Sequence, residues 1–253
     1  MERITARTNP LMQHMKKLGS DGAYRRETGL FLCDSPKLLG EAVRWGAEIV
    51  EVAFSEDMIP DTLPKCERMV QIPRDVMASI SPMKTPQGAL FTCRLPHSAL
   101  PEKLTGRRYV VLDAVQDPGN VGTILRTLDA FDFDGLLLLE GCADPWSVKT
   151  TRASMGAVFR RDIYTLTAEE LFPLLQRSGL PLYGTALRED TVDAWEADLR
   201  RCAIAIGSEG RGLSEGVLAR CDKTLKIPMS PRCESLNAAV AAAVLLWESF
   251  RSE

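Results

Sequence analysis

Three stretches of this sequence combine glycine with amide, acidic and basic side chains in patterns that could bind and activate a polar substrate. The first, Asp113 to Arg126, reads DAVQDPGNVGTILR; the second, Ile204 to Leu213, reads IAIGSEGRGL; the third begins IPMSPRCESLNAAV at Ile227. Backbone amides at the start of a helix attract anions, and open α/β sheets bind ligands beside the carboxyl ends of their strands. The three stretches therefore indicate a ligand site at one edge of a sheet.

Several side chains in these stretches are candidates for the chemistry itself. Glu209 lies among glycines that allow a close approach of backbone to ligand, so it could bind a hydroxyl or orient Arg126. If Asn120 caps the first helix, it lies less than two turns from Arg126. Ser235 is placed to cap the last helix, with Asn237 in its first turn. Taken singly, the stretches fit equally well a packed turn with a surface arginine, a loop with a solvated acid and a capped core helix.

An alternating pattern of strands and helices surrounds these stretches between residues 105 and 253. It predicts strands at 109–112, 135–139, 162–165, 181–185, 202–206 and 225–227, and helices at 120–131, 148–155, 168–178, 214–220 and 236–250. Such alternation predicts an α/β fold with a mostly parallel sheet, covered by helices on both faces. Because the last helix is apolar almost all round, we expect it to be buried.

Residues 1–104 form a second, smaller predicted domain of the α/β class. Strands are predicted at 30–33, 49–54, 69–72 and 89–93, and helices at 9–18, 37–45 and 74–80. The proline-containing stretch from Arg94 to Arg107 is the predicted linker. A length of 253 residues is consistent with two domains of this size.

Composition favours an ordinary soluble protein of the cytoplasm. Apolar residues make up 45% and charged residues 26% of the chain, no apolar run reaches membrane-spanning length, and the N-terminus MERITARTNP lacks the apolar core of a signal peptide. The seven cysteines form no C-x-x-C pair, and only two histidines are present. We therefore expect neither a membrane partner nor a metal site.

Charge gives only a local indication of a nucleic-acid partner. The net charge is −3; residues 1–104 hold 14 Lys and Arg against 13 Asp and Glu, whereas the remainder hold 17 against 21. Long-range steering of RNA should therefore be weak, so an RNA site would have to be a local basic patch. The basic side chains near the N-terminus, which include Arg25 and Arg26, are also consistent with solvated helix faces.

Together, and in this order, the three stretches resemble the three motifs of the SpoU (TrmH) family of RNA ribose methyltransferases, within the SPOUT superfamily. The similarity extends from Tyr109 to Phe250. It implies a SPOUT α/β knot, a deep trefoil in which the C-terminal segment threads through a loop and holds the cofactor. It also implies a homodimer through the C-terminal domain, because the motif arginine of this family often acts across a dimer interface.

The same resemblance implies that a methyl group passes from S-adenosylmethionine to a ribose 2′-hydroxyl of RNA. The residues implied to bind the cofactor are Thr185, Gly207, Ile227, Met229 and Leu236. The residues implied to act on the hydroxyl are Arg126, Asn120, Glu209, Ser235 and Asn237. A guanidinium has no free lone pair, so we expect Arg126 to bind the 3′ phosphate of the RNA and to stabilise the forming alkoxide, whether or not it takes the proton.

Residues 1–104 resemble the α/β domain of ribosomal-protein type with which many family members hold RNA. The matches are YRRETGLFL and SPMKTPQGAL, and they imply that Arg25 and Arg26 contact RNA. Asp34-Ser35 stands where the family usually has Glu-Gly. Because a flexible glycine is lost there, RNA contacts of the family at this turn do not carry over.

We therefore predict an RNA 2′-O-ribose methyltransferase with an RNA-binding domain at 1–104 and a SPOUT catalytic domain at 105–253. An N-terminal extension of this size is more typical of members that act on ribosomal RNA than of those that act on tRNA, which favours ribosomal RNA by analogy. Two alternatives are left open. One stays in the same class of enzyme, with tRNA as the substrate or with a base-directed activity on the same fold. The other is a catalytically idle RNA-binding protein, which failure to bind S-adenosylmethionine would favour.

Overall fold

The computed structural model describes residues 1–58, 63–96, 99–186, 188, 190–233 and 235–252, and the chain divides into two compact units. Unit 1 comprises Met1–His97 and Asp144–Arg160, and unit 2 comprises Ser98–Ala143 and Arg161–Glu253. The predicted domain boundary at residues 104 and 105 stays a prediction. The units differ from it in two respects: unit 2 begins at Ser98, and Asp144–Arg160, from the predicted catalytic domain, packs within unit 1.

The secondary structure follows the alternation predicted from the sequence. The strands are β1 (Glu2–Arg3), β2 (Leu30–Asp34), β3 (Ile49–Ser55), β4 (Arg68–Ile72), β5 (Ala89–Arg94), β6 (Arg108–Asp113), β7 (Gly135–Leu138), β8 (Asp162–Thr165), β9 (Leu182–Thr185), β10 (Val192–Asp193), β11 (Cys202–Gly207) and β12 (Lys223–Lys226). The helices are α1 (Pro10–Ser20), α2 (Gly22–Thr28), α3 (Pro36–Arg44), α4 (Arg74–Ile80), α5 (Pro118–Ala130), α6 (Val148–Ala153), α7 (Ala168–Ser178), α8 (Glu215–Leu218) and α9 (Ala238–Arg251). Among the described helices, none has the length and apolarity needed to cross a bilayer.

Unit 1 is built on a mixed sheet with the strand order β1-β4-β3-β5-β2, in which β5 runs antiparallel to both of its neighbours. Side chains alternate between the two faces. Met12 and Met15 of α1 pack against Ile72 on one face, whereas Phe31 and Phe91 form an aromatic core on the other. The side chain of Asn9 caps α1 by accepting from the amide of Leu11, and Pro10 opens the helix.

The segment Asp144–Arg160 completes the core and the ion pairs of unit 1. The ring of Trp146 lies against that of Phe31, with 4.9 Å between centroids. Asp144 pairs with the buried Arg25 at 2.6 Å, and Arg160 pairs with Glu41. Unit 1 is therefore built from two separate parts of the sequence.

Unit 2 contains a sheet with the order β10-β12-β9-β11-β6-β7-β8, and each adjacent pair of strands is parallel. The central strands β6 and β11 are buried throughout, as a sheet covered on both faces requires. The predicted α/β fold with a mostly parallel sheet is confirmed. The threading of the chain into a knot stays a prediction.

The last helix differs from its prediction in both its start and its burial. Asn237, rather than Ser235, caps α9, which begins at Ala238 instead of residue 236. The helix is also buried on only one side, because Val240 and Trp247 remain 49% and 50% exposed. The buried side carries small and aliphatic side chains, namely Ala238, Ala239, Ala242, Leu245, Leu246 and Ser249. An almost uniformly apolar sequence therefore does not tell which side faces the core.

Candidate functional site

The candidate site lies where the central strands of unit 2 end side by side. The pairing register sets Gly207 at the end of β11 beside Asp113 at the end of β6. On the other side of β11, the end of β9 at Thr185 lies beside Leu225 of β12. The loops that follow these strands carry the motif residues, so the parallel topology brings sequence-distant side chains to one edge.

The first loop places Asn120 in the opening turn of α5. The carboxylate of Asp117 caps this helix, and its Oδ1 accepts from the amides of Gly119 at 2.6 Å and Asn120 at 3.0 Å. Pro118 occupies the first helical position, where a missing amide hydrogen costs nothing. Asp117, and not Asn120 as the sequence suggested, caps this helix, which leaves the Asn120 side chain available for other contacts.

The second loop closes tightly and presents Glu209 at its tip. The amide of Ser208 donates to the carbonyl of Gly212 at 3.0 Å, and the amide of Gly212 donates back at 2.9 Å. The buried carboxylate of Asp113 holds the end of the loop, because its Oδ2 accepts from the amide of Ser214 at 2.7 Å. A Cβ on Gly207 would lie 2.0 Å from the carbonyl carbon of Gly212, so glycine is required there.

The third loop ends in Asn237, whose carboxamide is used on both sides. Its Oδ1 accepts from the amides of Ala239 at 2.9 Å and Val240 at 3.3 Å, which caps α9. Its Nδ2 therefore points away from the helix and donates to Oδ1 of Asn120 at 3.2 Å. The Nδ2 of Asn120 in turn donates to Oε1 of Glu209. The three side chains of Glu209, Asn120 and Asn237 form what we call the amide chain.

The amide chain has one fixed direction because helix donors set its first member. Because the oxygen of Asn237 accepts from α9, the carboxamide of Asn120 must accept from Asn237 and donate to Glu209. Glu209 stands at the end of this series, and its Oε2 accepts no hydrogen bond from a described residue. That oxygen is available to a substrate hydroxyl or to a guanidinium.

Two of the predicted catalytic residues lie outside the amide chain. Arg126 is exposed and forms no hydrogen bond or ion pair with the described residues. Six residues separate it from Asn120 on α5, so the two side chains point about 120° apart around the helix. Ser235 is exposed, and the contact made there involves its carbonyl, which accepts from Sγ of Cys233 at 3.3 Å.

A cavity of about 130 Å³ adjoins these loops, and four of the five residues predicted to bind the cofactor line it. It is lined by Thr185, Ala186, Leu225, Lys226, Ile227, Met229, Leu236 and Ala241. Gly207 is not part of this lining and serves instead in closing the second loop. The backbone amides of Ile227, Met229 and Leu236 donate to no acceptor among the described residues. The cavity thus has apolar walls, and three of its lining residues have backbone amides without an acceptor in the described part of the chain.

The two arginines of unit 1 that were predicted to contact RNA differ in their exposure to solvent. Arg25 is only 5% exposed, and its guanidinium donates to Asp144 and to the carbonyl of Leu18. An RNA contact through Arg25 is therefore not compatible with this placement, because the side chain is buried and its donors are occupied. Arg26 is exposed. Sequence pattern alone could not distinguish these neighbours on one short helix.

Sequence reasoning missed the two aspartates that position the site. Asp113 ends a buried strand, and Asp117 precedes a proline, which is the typical arrangement at a helix start. Both signals are present in the first motif, but neither residue was distinguished from the turn around it. Among the described residues, no group of three or more His, Cys, Asp or Glu side chains could hold a metal ion.

The fold and the site define an α/β protein with a candidate ligand site at the carboxyl edge of a parallel sheet. Comparison with known families identifies the family to which the chain belongs. The model of the SpoU rRNA Methylase family matches residues 107–247, which is more than half of the chain. The chain belongs to this family, as its three motifs predicted. A second model, the MRM3-like substrate binding domain, matches residues 9–90.

Individual relatives resemble the chain over nearly its whole length. The 23S rRNA (guanosine(2553)-2′-O)-methyltransferase RlmP of Bacillus subtilis is 31% identical over 248 residues, which cover 98% of each chain. The structure of AdoMet-bound rRNA methyltransferase from Sinorhizobium meliloti has a TM-score of 0.87 at 27% identity and covers 99% of this chain and 98% of its own. The SpoU methyltransferase AviRb from Streptomyces viridochromogenes, at 24% identity, shares the fold with a TM-score of 0.87 over 96% of this chain and 98% of its own.

Proposed function

We propose that this chain transfers a methyl group from S-adenosylmethionine to a ribose 2′-hydroxyl of ribosomal RNA. The name of the Bacillus subtilis relative gives this reaction on 23S rRNA, and the two chains align over 98% of their lengths. The observation in this structure that carries the proposal is the amide chain, because it joins all three motif loops at one point. A catalytically idle protein would have no need to orient an exposed carboxylate in this way.

We place the adenine end of S-adenosylmethionine in the cavity at the edge of unit 2. Ile227, Met229 and Leu236 supply apolar surface for the adenine ring, and their backbone amides, which donate to no described residue, can donate to its ring nitrogens. The hydroxyl of Thr185 donates to the carbonyl of Ala205 at 3.0 Å, which fixes this part of the wall. When bound, the cofactor supplies a methyl group on a positively charged sulfur, and a water-poor pocket favours the dispersal of that charge.

The residues of the chain then have the task of aligning the ribose hydroxyl and helping it to lose its proton. Oε2 of Glu209 is placed to accept a hydrogen bond from the hydroxyl or from a guanidinium. Asn120 and Asn237 hold the Glu209 carboxylate in position through their fixed donor direction. Arg126 supplies a positive charge that binds the neighbouring phosphate and stabilises the forming alkoxide.

A homodimer through unit 2 would explain why Arg126 lies outside the amide chain of its own subunit. The outward side of α9 exposes Val240, Val244, Trp247 and Phe250, and the ring of Phe131 lies 5.6 Å from Trp247. Contiguous apolar surface of this kind is typical of protein interfaces. We propose that a second copy of the chain covers it, and that Arg126 of each copy serves the amide chain of the other.

Light scattering on the purified protein tests the dimer. We expect the wild type to have twice the mass of one chain and Trp247→Glu to have the mass of one chain, with methyl transfer reduced at least tenfold. Trp45→Glu is the matched control, because Trp45 is also 50% exposed but lies in unit 1. A monomeric wild type that still transfers methyl groups would contradict the proposed exchange of Arg126.

The reaction itself is tested with transcripts of 23S and 16S rRNA and with tRNA, each incubated with radiolabelled S-adenosylmethionine. We expect label in ribosomal RNA, and nuclease digestion followed by mass spectrometry should recover it as a 2′-O-methylnucleoside. Glu209→Gln removes the carboxylate charge and should slow transfer by about 10- to 100-fold. Lys103→Met, an exposed residue of unit 2, is the control. Label on a base, or in tRNA alone, would refute the proposed reaction or its substrate.

A further inference from the structure

A second cavity, of about 190 Å³, lies within unit 1. It is lined by Ser35, Lys37, Leu38, Gln87, Arg152 and Met155. The first four residues belong to the region matched by the substrate-binding model, whereas Arg152 and Met155 come from the segment that follows β7. The cavity is therefore completed by residues that lie in the methylase part of the sequence.

Arg152 is in an unusual state for a partly buried guanidinium. It forms no hydrogen bond or ion pair with the described residues, and its Nη1 is fully buried without a partner. Burying a charged donor without a partner destabilises the folded protein more than burying a paired one. Arg25 and Arg160 of the same unit pair with Asp144 and Glu41. Arg152 interacts electrostatically with the carboxylate of Asp34 but forms no hydrogen bond with it. Its guanidinium therefore has donors left for a group from outside the chain.

The charges around the cavity favour an anion. Lys37 is exposed at the start of α3, and its backbone amide donates to no acceptor among the described residues. The hydroxyl of Ser35 caps the same helix by accepting from Leu38 at 3.2 Å. Asp34, the acidic group with which Arg152 interacts electrostatically, is buried, lies outside the cavity lining and accepts from Ser81 at 2.5 Å. The lining thus contains two cations and no carboxylate.

We infer that this cavity binds a phosphate group of the RNA substrate, held by the guanidinium of Arg152 and the ammonium and backbone amide of Lys37. A planar guanidinium matches two phosphate oxygens, and an ammonium adds a point charge at the cavity mouth. The inference rests on the proposed function, because RNA is the source of the phosphate. It assigns the anchoring role to residues other than Arg25, whose donors are already occupied.

Binding of a 23S rRNA transcript over a series of KCl concentrations tests the inference on the full-length protein. We expect Arg152→Met to weaken binding about tenfold and to reduce the slope of log affinity against log salt by ~0.7 to ~0.9, which corresponds to one lost phosphate contact. Lys37→Met, an exposed change that should not affect folding, should act in the same direction. Arg152→Lys keeps the charge and should restore the slope but only part of the affinity.

Lys65→Met is the matched control, because Lys65 is an exposed lysine of unit 1 outside the cavity, and we expect a change of less than twofold. Binding and slope equal to wild type in both Arg152→Met and Lys37→Met would overturn the inference. A melting temperature raised by inorganic phosphate in wild type but not in Arg152→Met, with unchanged RNA binding, would also overturn it and assign the cavity to a free phosphate compound. Calorimetric binding of S-adenosylmethionine to Arg152→Met separates the proposals: if it is intact while RNA binding is unchanged, the phosphate site alone fails.

Discussion

The carboxamides of Asn237 and Asn120 determine the direction of hydrogen bonding in the site. The start of α9 in turn determines the orientation of the Asn237 carboxamide. The oxygen of Asn237 is committed to the first amides of α9, so its nitrogen must face Asn120. Asn120 then has only its own nitrogen to offer to Glu209. A residue that caps a helix thereby controls the orientation of a carboxylate two hydrogen bonds away. The same residue therefore has a structural and a functional role that substitution can separate.

Asn237→Asp should separate these roles. A carboxylate caps a helix as well as a carboxamide does, so we expect the free energy of unfolding to change by less than about 0.5 kcal/mol. The new carboxylate cannot donate to Asn120, whose amide would turn round and present its oxygen to Glu209. Methyl transfer should fall by about 10- to 100-fold, measured as the initial rate on an rRNA transcript.

Asn9→Asp is the control for this change, because Asn9 caps α1 through a hydrogen bond from the amide of Leu11 at 2.9 Å. It alters the same chemical group at the same position of a helix, in unit 1. We expect unchanged activity. Equal rates for the two variants would show that the direction of the amide chain is irrelevant to catalysis.

The thiols provide a test of burial in unit 2. Burial raises the pKa of Cys142 and of Cys221 to about 11 in each case, so at neutral pH almost none of either thiol is in the reactive thiolate form. Cys233 is exposed in the loop between Met229 and Leu236. At pH 7.5 iodoacetamide should modify Cys233 first, and labelling of the other two should increase as the pH rises towards 11.

Peptide mass spectrometry measures this order, and S-adenosylmethionine should slow the labelling of Cys233, because Met229 and Leu236 on either side of it line the cavity. Labelling of Cys142 or Cys221 as fast as Cys233 at pH 7.5 would show that the burial described for unit 2 is incorrect.

At the scale of elements, the loop after β11 closes only because its first residue is glycine. Gly207→Ala would place a Cβ within 2.3 Å of the carbonyl oxygen of Gly212, and backbone cannot move aside as a side chain can. We expect the free energy of unfolding to fall by about 2 to 3 kcal/mol, with loss of methyl transfer as Glu209 is displaced. Urea unfolding followed by circular dichroism gives the first quantity.

Gly216→Ala is the matched change in the neighbouring helix α8, where a Cβ would meet no atom within 4 Å. Alanine favours helix over glycine, so this variant should be as stable as wild type or more stable by up to about 1 kcal/mol. If both variants were equally stable, the close approach of Gly207 and Gly212 would not be a constraint on the fold.

Elements with strong local signals could be predicted from the sequence, and those defined by tertiary contacts could not. α4, α7 and β8 have the predicted bounds, and Thr167 and Glu170 form a capping box at the start of α7. The two-residue strands β1 and β10 were missed, because pairing with β4 and β12 rather than any periodicity defines them. Ser235 was a plausible cap, but Asn237 fills the role and also contacts Asn120.

The candidate site was predictable to a similar degree. The motifs identified Asn120, Glu209 and Asn237, and the structure brings these three together. The supporting roles of Asp113 and Asp117 depend on which backbone amides face them, and a linear pattern does not contain that information. The sequence does not single out Arg152 for the same reason, because its significance comes from a buried nitrogen that has no hydrogen bond to a described residue, in a cavity formed by distant residues.

At the scale of the whole molecule, the two units share one chain that passes between them three times. Asp144–Arg160 leaves unit 2 after β7, packs within unit 1 and returns before β8. Unit 1 therefore depends on residues that any division of the sequence at one linker would remove. Phe31 illustrates this dependence, since its ring lies against both Trp146 and Phe159 of the segment.

Trp146→Ala should loosen unit 1 while leaving unit 2 intact. Loss of the ring removes its packing against Phe31, and we expect about 2 kcal/mol less stability for unit 1. Hydrogen exchange measured by mass spectrometry should become faster in β2 and α3 and stay unchanged in β9 and β11. Trp45→Ala, at an exposed aromatic residue of the same unit, should change neither. Equal acceleration in both units would contradict the assignment of this segment to unit 1 alone.

The most direct test of the central claim is calorimetric titration of the purified protein with S-adenosylmethionine. Wild type should bind one equivalent per chain, and Leu236→Arg should bind none, because the new side chain would fill the cavity at the carboxyl edge of unit 2. Leu63→Arg, the same change at a residue that is 49% exposed in unit 1, should bind as wild type does. A folded wild type that binds no S-adenosylmethionine, or a Leu236→Arg variant that binds it normally, would contradict the proposed methyltransferase site.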